Sequence, residues 1–324
     1  MHPRLVEIPL VNLTIWCFGP MMALGFLIGL ALANRLARRA RLDQAVIMNV
    51  TLYSLVIGVI GARAFFVIHH FDLFRGDLAA IFAVWRGGLE FVGGVIPVIV
   101  FLFFYMKRHN LPFRRYLDIL AIGLMMGLAF GRMGCFLNGC CFGKPANLPW
   151  AIRFPYRSYA YISQINPDLK RDRPEPHLDL PKSEYLSFFD QDGQWYPRPL
   201  DQLNDRQKYD VTKGRYRCLA IHPTQLYSAA NALVICALLY LLWRRGLDRP
   251  GHQPRLARPG STTAMAFVLY GATRFFLEAL RDDNPYEFAH LTISQITSIA
   301  MVALGVVLLI LLARIRPPVE CIRE

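Results

Sequence analysis

Apolar residues in this chain gather into seven blocks, at about 16–34, 46–68, 88–106, 117–137, 223–243, 261–280 and 291–313. Each approaches the ~20 residues that a helix needs to cross the hydrocarbon of a bilayer. The pattern predicts an all-α integral membrane protein with seven transmembrane helices. One hydrophilic stretch, 144–221, interrupts the series. It is rich in Pro, Asp, Arg and Tyr, has no long periodic pattern, and exceeds an ordinary connection. It reads either as a small cap or as a partly disordered insertion. The predicted organisation is 1–143 with helices one to four, 144–221 as the insertion, and 222–324 with helices five to seven and a short tail. The first block is not a cleavable signal peptide, because Arg35, Arg38, Arg39 and Arg41 follow it instead of preceding it.

Composition supplies the orientation. Of the 324 residues 54% are hydrophobic, and the formal net charge is +13. Such a basic balance can signal nucleic acid, but no nucleic-acid motif or internal repeat is present and the arginines lie between apolar blocks. One set of block ends carries sixteen Lys and Arg, at 35–41, 107–115, 244–258 and 314–323. The opposite ends carry four: Arg4, Arg75, Arg86 and Arg281. The positive-inside rule then places the N-terminus outside and the C-terminus in the cytoplasm, with 144–221 outside.

Three basic residues, Arg63, Arg132 and Arg274, fall inside apolar blocks. A charge there costs roughly 2.5–3.5 kcal/mol on insertion scales. Any one alone can snorkel to an interface. Three on different helices, all toward the outer half, point to a shared polyanionic ligand such as a lipid phosphate, which the arginine fork matches. Arg132 opens the stretch Gly131-Arg132-Met133-Gly134-Cys135-Phe136-Leu137-Asn138-Gly139-Cys140-Cys141-Phe142-Gly143, where an apolar helix breaks up into glycine, asparagine and cysteine. Upstream, Gly123, Gly127 and Gly131 recur every fourth residue, a strip along which another helix can approach closely.

Other stretches add polar groups. In His222-Pro223-Thr224-Gln225-Leu226-Tyr227, proline suits a first helical position, so His222 sits at a helix N-terminus. The macrodipole there favours neutral imidazole, an acceptor or base, although an ordinary cap residue is the competing reading. Arg274 and Glu278 are four apart and share a helical face, as a structural ion pair or as part of a site. Gly87-Gly88-Leu89-Glu90-Phe91-Val92-Gly93-Gly94 brackets the Glu90 carboxylate between glycine pairs and reads as a re-entrant or broken helix start.

Together these stretches resemble the phosphatidylglycerol–prolipoprotein diacylglyceryl transferase family. The likeness rests on Gly131–Gly143 and extends to Phe18-Gly19, Gly61-Ala62-Arg63, Gly87–Gly94, His222–Tyr227, Tyr270–Arg281 and Ser294-Gln295. It implies a multi-pass enzyme of the bacterial inner membrane whose active site faces the periplasm. Such an enzyme moves the diacylglyceryl group of phosphatidylglycerol onto the lipobox cysteine thiol of preprolipoproteins and releases glycerol 1-phosphate, with no metal or other cofactor. By position, Arg132 and Arg274 are the principal functional arginines. Arg63, Asn138, Gly143, Tyr227 and Glu278 join them around phosphatidylglycerol. A base must generate the thiolate nucleophile.

This chain departs from the family where a base is expected. Val92 stands where better-known members have a histidine, and Phe18 where they have a tyrosine. Cys135 replaces an asparagine, and Cys140 and Ser228 replace glutamates. Glu90 and His222 are the candidate substitutes, unless the arginines suffice. The departures keep two rivals open: a catalytically silent paralogue that binds lipid or lipoprotein, and a thiol-redox membrane protein. Seven cysteines occur, at 17, 135, 140, 141, 218, 236 and 321. A disulfide from the signature loop to Cys218 is compatible with an oxidising periplasm, as is plain packing. A metal site using these cysteines and His222 is disfavoured, since Cys-x4-Cys-Cys is not a usual zinc spacing.

Overall fold

The computed structural model describes residues 4–8, 13–16, 18–84, 87–189, 193–247 and 258–314. Arg86, Arg249, Arg255, Arg316, Arg323, Cys17 and Cys321 lie outside these residues. Among the described residues each expected apolar block is a long helix: α1 (Phe18–Arg39), α2 (Gln44–His69), α3 (Phe91–Arg108), α4 (Phe113–Asn138), α8 (Thr224–Leu247), α9 (Ser261–Ala279) and α10 (Ile293–Arg314). The insertion supplies three short helices, α5 (Tyr159–Ile165), α6 (Lys182–Tyr185) and α7 (Asp205–Thr212). Five of the long helices, α1, α2, α4, α8 and α10, are long and apolar enough to cross a membrane.

The surface confirms a membrane protein. Leu27, Ile60, Phe104, Leu124 and Phe276 are each at least 60% exposed, whereas Glu278, Arg281 and Arg63 are 1%, 5% and 7% exposed. Water-soluble folds put charge outside and large apolar groups inside. Here the arrangement is inverted, as a hydrocarbon solvent requires. Local sequence sets the helix ends: Asp43 caps α2 through Ala45 N at 2.8 Å, and basic residues close α1, α3, α8 and α10, where the macrodipole favours cations.

The all-α expectation needs one amendment. Two antiparallel hairpins occur, β1 (Arg4–Ile8) with β2 (Leu13–Trp16) and β3 (Leu186–Phe189) with β4 (Gln194–Pro197). Strands of four or five residues are too short to print an alternating pattern on the sequence.

The chain packs as two compact units, 30–123 and a second made of 1–29 with 124–324. In the first unit α2 packs on α3. Gly87 and Gly88 adopt left-handed φ of 87° and 72° just before α3, so the broken helix start is present. In the second unit α9 packs between α8 and α10. The glycine strip of α4 also meets its expectation, because a Cβ on Gly25 of α1 would lie 2.9 Å from the Gly127 carbonyl.

The described residues of the insertion share a folded core. Phe154, Tyr161, Ile165, Leu178, Tyr185, Leu203, Val211 and Cys218 form a buried core continuous with Phe142 and Ile221 at its two ends. Asn204 and Gln207 make a reciprocal capping box on α7.

Candidate active site

The signature stretch is a helix end folded back on itself. α4 stops at Asn138, and Gly139, at φ 80°, donates its N–H to the Cys135 carbonyl at 2.9 Å. Cys141 is also left-handed, at φ 59°. The reversal brings the thiols of Cys135, Cys140 and Cys141 together, with all three sulfurs within 4.8 Å of one another. Asn138 ends α4 directly before the turn, and Cys140 Sγ lies 3.8 Å from the Cys135 carbonyl.

Two distant stretches hold this turn. From the first turn of α8, Gln225 Nε2 donates to the Cys140 carbonyl and Thr224 Oγ1 to the Cys141 carbonyl, both at 2.7 Å. From beyond α9, Asp282 N–H donates to the Phe142 carbonyl at 3.1 Å, and Lys144 N–H donates to the Leu280 carbonyl at 2.9 Å. Gly143 runs between them. A Cβ there would sit 2.6 Å from the His222 carbonyl oxygen and 2.7 Å from its Cβ. The structure thus gives Gly143 a backbone-packing role.

Arg132 and Arg274 line one small cavity with Ser228, Asn231 and Tyr270. Arg132 Nη1 also approaches Cys141 Sγ at 3.7 Å. Arg274 Nη2 binds Ser294 Oγ at 3.0 Å and Glu278 Oε2 at 2.7 Å, so the expected i,i+4 ion pair exists. Its Nη1 is buried without a hydrogen-bond partner among the described residues. Glu278 is the hub: Arg281 Nη1 lies 3.5 Å from Oε2, while Asn284 Nδ2 and Thr292 Oγ1 donate to Oε1. Arg281 grips Asp283 with two nitrogens at 2.8 and 2.7 Å. Arg132, Arg274 and Arg281 lie within Coulombic range of one another. Burial works against the Arg281 charge, but Asp283, Cys141 and Glu278 more than offset it, raising the pKa. Hydrogen bonds from Cys135 and Cys140, aided by Arg281 and Arg132, hold the Cys141 thiol below the usual thiol range.

His222 and Tyr227 also belong to this unit. His222 Nδ1 is 3.5 Å from the Tyr227 hydroxyl, which accepts from Trp150 Nε1 at 2.7 Å. α8 begins at Thr224, one residue later than the proline rule suggests. Arg63 and Glu90 belong to the other unit. Arg63 donates to four carbonyls, those of Ala80, Ile81, Gly87 and Gly88, at 2.6–3.0 Å, and stacks near Phe66 and Phe74. Four hydrogen bonds from Arg63 hold a loop here. Glu90 accepts from His69 Nδ1 at 2.9 Å, and His70 lies 3.6 Å away.

The insertion docks onto the segment after α9. Asp282, 6% exposed, takes Arg173 at 2.7 Å, His177 at 3.4 Å and Arg171 at 3.6 Å. Arg171 Nη2 also donates to the Arg281 carbonyl at 2.6 Å and its guanidinium lies over the Tyr286 ring. Burial raises the Asp282 pKa, but the His177 hydrogen bond and the charges of Arg173, His177 and Arg171 outweigh it and hold the carboxyl below its ordinary value. Cys218 is a free thiol in the insertion core, 3% exposed, hydrogen-bonded to Gln164 Oε1 at 3.5 Å and pushed up to about 11 by burial. It makes no disulfide with the signature loop.

Sequence reasoning named Arg281, Ser228 and Tyr270 within the family stretches but gave none of them a site role, and it passed over Asn231. Asn231 left a signal: an amide in the middle of an apolar helix, here donating to Thr273 Oγ1 at 2.9 Å.

Over residues 3–311 the chain matches the family described as prolipoprotein diacylglyceryl transferase. A phosphatidylglycerol–prolipoprotein diacylglyceryl transferase of Finegoldia magna is 28% identical over 303 residues, covering 94% of this chain and 93% of that protein. One of Synechococcus elongatus is 29% identical over 306 residues, covering 94% and 85%. The match runs through both compact units and includes every residue of the arginine network, and the chain belongs to the prolipoprotein diacylglyceryl transferase family.

Proposed function

We propose that this protein transfers the diacylglyceryl group of phosphatidylglycerol to the lipobox cysteine thiol of preprolipoproteins. The observation that carries the reading is the cavity shared by Arg132 and Arg274, where the buried Arg274 Nη1 lacks a partner. An unsatisfied guanidinium N–H in a membrane protein calls for an anion, and a lipid phosphodiester is the anion a bilayer supplies. In the reaction the substrate thiolate forms a C–S bond to the glyceryl carbon, the C–O bond to phosphate breaks, and glycerol 1-phosphate leaves with the electron pair. Arg132 and Arg274 stabilise the charge that develops on the leaving phosphate. Asn138, Tyr227 and Glu278 shape and position the site. The thiol proton goes to a base, for which His222 and Glu90 are the candidates, or to solvent where the arginines suffice to stabilise the thiolate.

The proposal places the protein in a bacterial inner membrane with seven spans, the N-terminus and the insertion in the periplasm, and the C-terminus in the cytoplasm. The basic last turns of α1, α3, α8 and α10 support this orientation. A second reading, a silent paralogue that binds lipid without transfer, is favoured by Val92, 51% exposed on α3 and without a titratable group. One experiment separates them. The protein is reconstituted with phosphatidylglycerol and a lipobox peptide, and the peptide is weighed by mass spectrometry. A diacylglyceryl thioether that vanishes in Arg132→Ala and Arg274→Ala supports the transferase. Phosphatidylglycerol binding without product supports the paralogue.

A further inference from the structure

The three-cysteine cluster has no part in the proposed transfer, and its geometry is specific. One sulfur comes from the last turn of α4 and two from the reversed loop, yet all lie within 4.8 Å of one another. Zinc–sulfur bonds of about 2.3 Å in a tetrahedron put neighbouring sulfurs ~3.8 Å apart, so small side-chain adjustments close the cluster on one ion. The loop is held in place. Cys141 keeps a left-handed backbone that a residue with a Cβ rarely adopts, and the Cys140 and Cys141 carbonyls are pinned by Gln225 and Thr224. All three cysteines are free thiols, partly buried.

Charge agrees with geometry. Three thiolates around a divalent ion carry one net negative charge, and the Arg132 guanidinium lies against it, Nη1 3.7 Å from Cys141 Sγ. A disulfide suits the cluster less well, since pairing two of three convergent thiols leaves the third unused. Thiolates select soft or borderline cations. We propose that Cys135, Cys140 and Cys141 form a trithiolate site for a thiophilic cation of the zinc class, with the fourth position open to a non-protein ligand. The site is a property of these residues and stands whether or not the chain transfers lipid.

The test uses the full-length protein, untagged, in detergent and free of chelators. Reduced protein is loaded with Zn2+ and desalted, its metal content is measured, and its cysteines are alkylated and mapped by mass spectrometry. Stoichiometric zinc that protects Cys135, Cys140 and Cys141 from alkylation, while Cys236 keeps its zinc-free behaviour, is the expected result and needs no variant. Replacing Zn2+ with Co2+ should give intense thiolate-to-cobalt charge-transfer bands. These bands are lost in Cys140→Ser and Cys141→Ser and kept in Cys236→Ala. Zinc that washes off the reduced wild-type protein, zinc retained by a variant lacking all three cysteines, or a disulfide among them in protein isolated without reductant would each overturn the site.

Discussion

Arg274 and Glu278, one helical turn apart on α9, form a 2.7 Å ion pair that is 11% and 0% exposed at the side chains. The pair is half of a larger arrangement, because Arg281 shares the same carboxylate oxygen at 3.5 Å. Glu278 and Asp283 balance Arg274 and Arg281, so among the described residues Arg132 is the uncompensated charge beside the cavity. That suits the binding of a second anion.

Replacing Glu278 with Gln should therefore damage the fold before it damages chemistry. Two buried arginines lose their shared counter-charge, and breaking a buried pair costs about 3–5 kcal/mol. Thermal unfolding in detergent should show a clearly lowered midpoint. An unchanged midpoint would mean that Asp283 alone suffices for Arg281 and that Arg274 is neutralised elsewhere.

Arg274→Lys separates charge from shape. Lysine keeps the positive charge but cannot serve Ser294, Glu278 and a phosphate at once. Transfer should fall by about 10²–10³, the loss typical of one donor to a developing anion, while the folded fraction on size-exclusion chromatography stays near wild type. Arg132→Lys should behave alike.

Gly143→Ala should disable the site through packing alone, with every polar and charged group of the site retained. The added methyl meets the His222 carbonyl and Cβ at 2.6 and 2.7 Å, so the loop or the start of α8 must move. Overpacking of this kind costs about 1–3 kcal/mol. The expected signature is weakened transfer together with faster hydrogen exchange at 139–145 and 221–226.

The base assignment has its own test. Glu90→Gln, His222→Ala and the double variant should be assayed against pH in the reconstituted system. Loss of transfer in one single variant identifies the base. Full activity in the double variant would end the idea that either residue replaces the family histidine.

Asp282 links the insertion to pH. Its folded pKa lies below the unfolded value of about 3.9, so its contribution is complete above that value and is lost as pH falls through the lower folded one. Hydrogen exchange over 159–178 should rise below about pH 4. Asp282→Asn should show the same rise at neutral pH, since Arg171 and Arg173 then lack their charge partner.

The long helices were legible because hydrocarbon demands unbroken apolar stretches, and all seven expected blocks became helices. The Arg274–Glu278 pair was legible from spacing alone. What escaped was whatever depended on chain reversal. Cys-x4-Cys-Cys looks wrong for a cluster in an extended loop, yet a helix end followed by two left-handed residues makes it converge. The surroundings of Arg63 were hidden for a related reason. Its apolar neighbours advertise an exceptional charge, but nothing local reveals that carbonyls from residues 17 to 25 positions away accept four hydrogen bonds from it. The fold of the insertion was hidden because its core is assembled from isolated aromatics without period.

The stitching of the signature loop also dictates when the site can exist during synthesis. Thr224 secures the carbonyl of Cys141 across 83 positions, and Asp282 secures Phe142 from farther still. At roughly 5–20 residues per second, a ribosome that has just delivered Arg132 to the membrane still needs many seconds to supply both anchors. Until then the nascent chain has its arginine and its three thiols but no frame to hold them. Maturation is a late, C-terminal event, and a prematurely ended chain stays inert even with its whole signature translated.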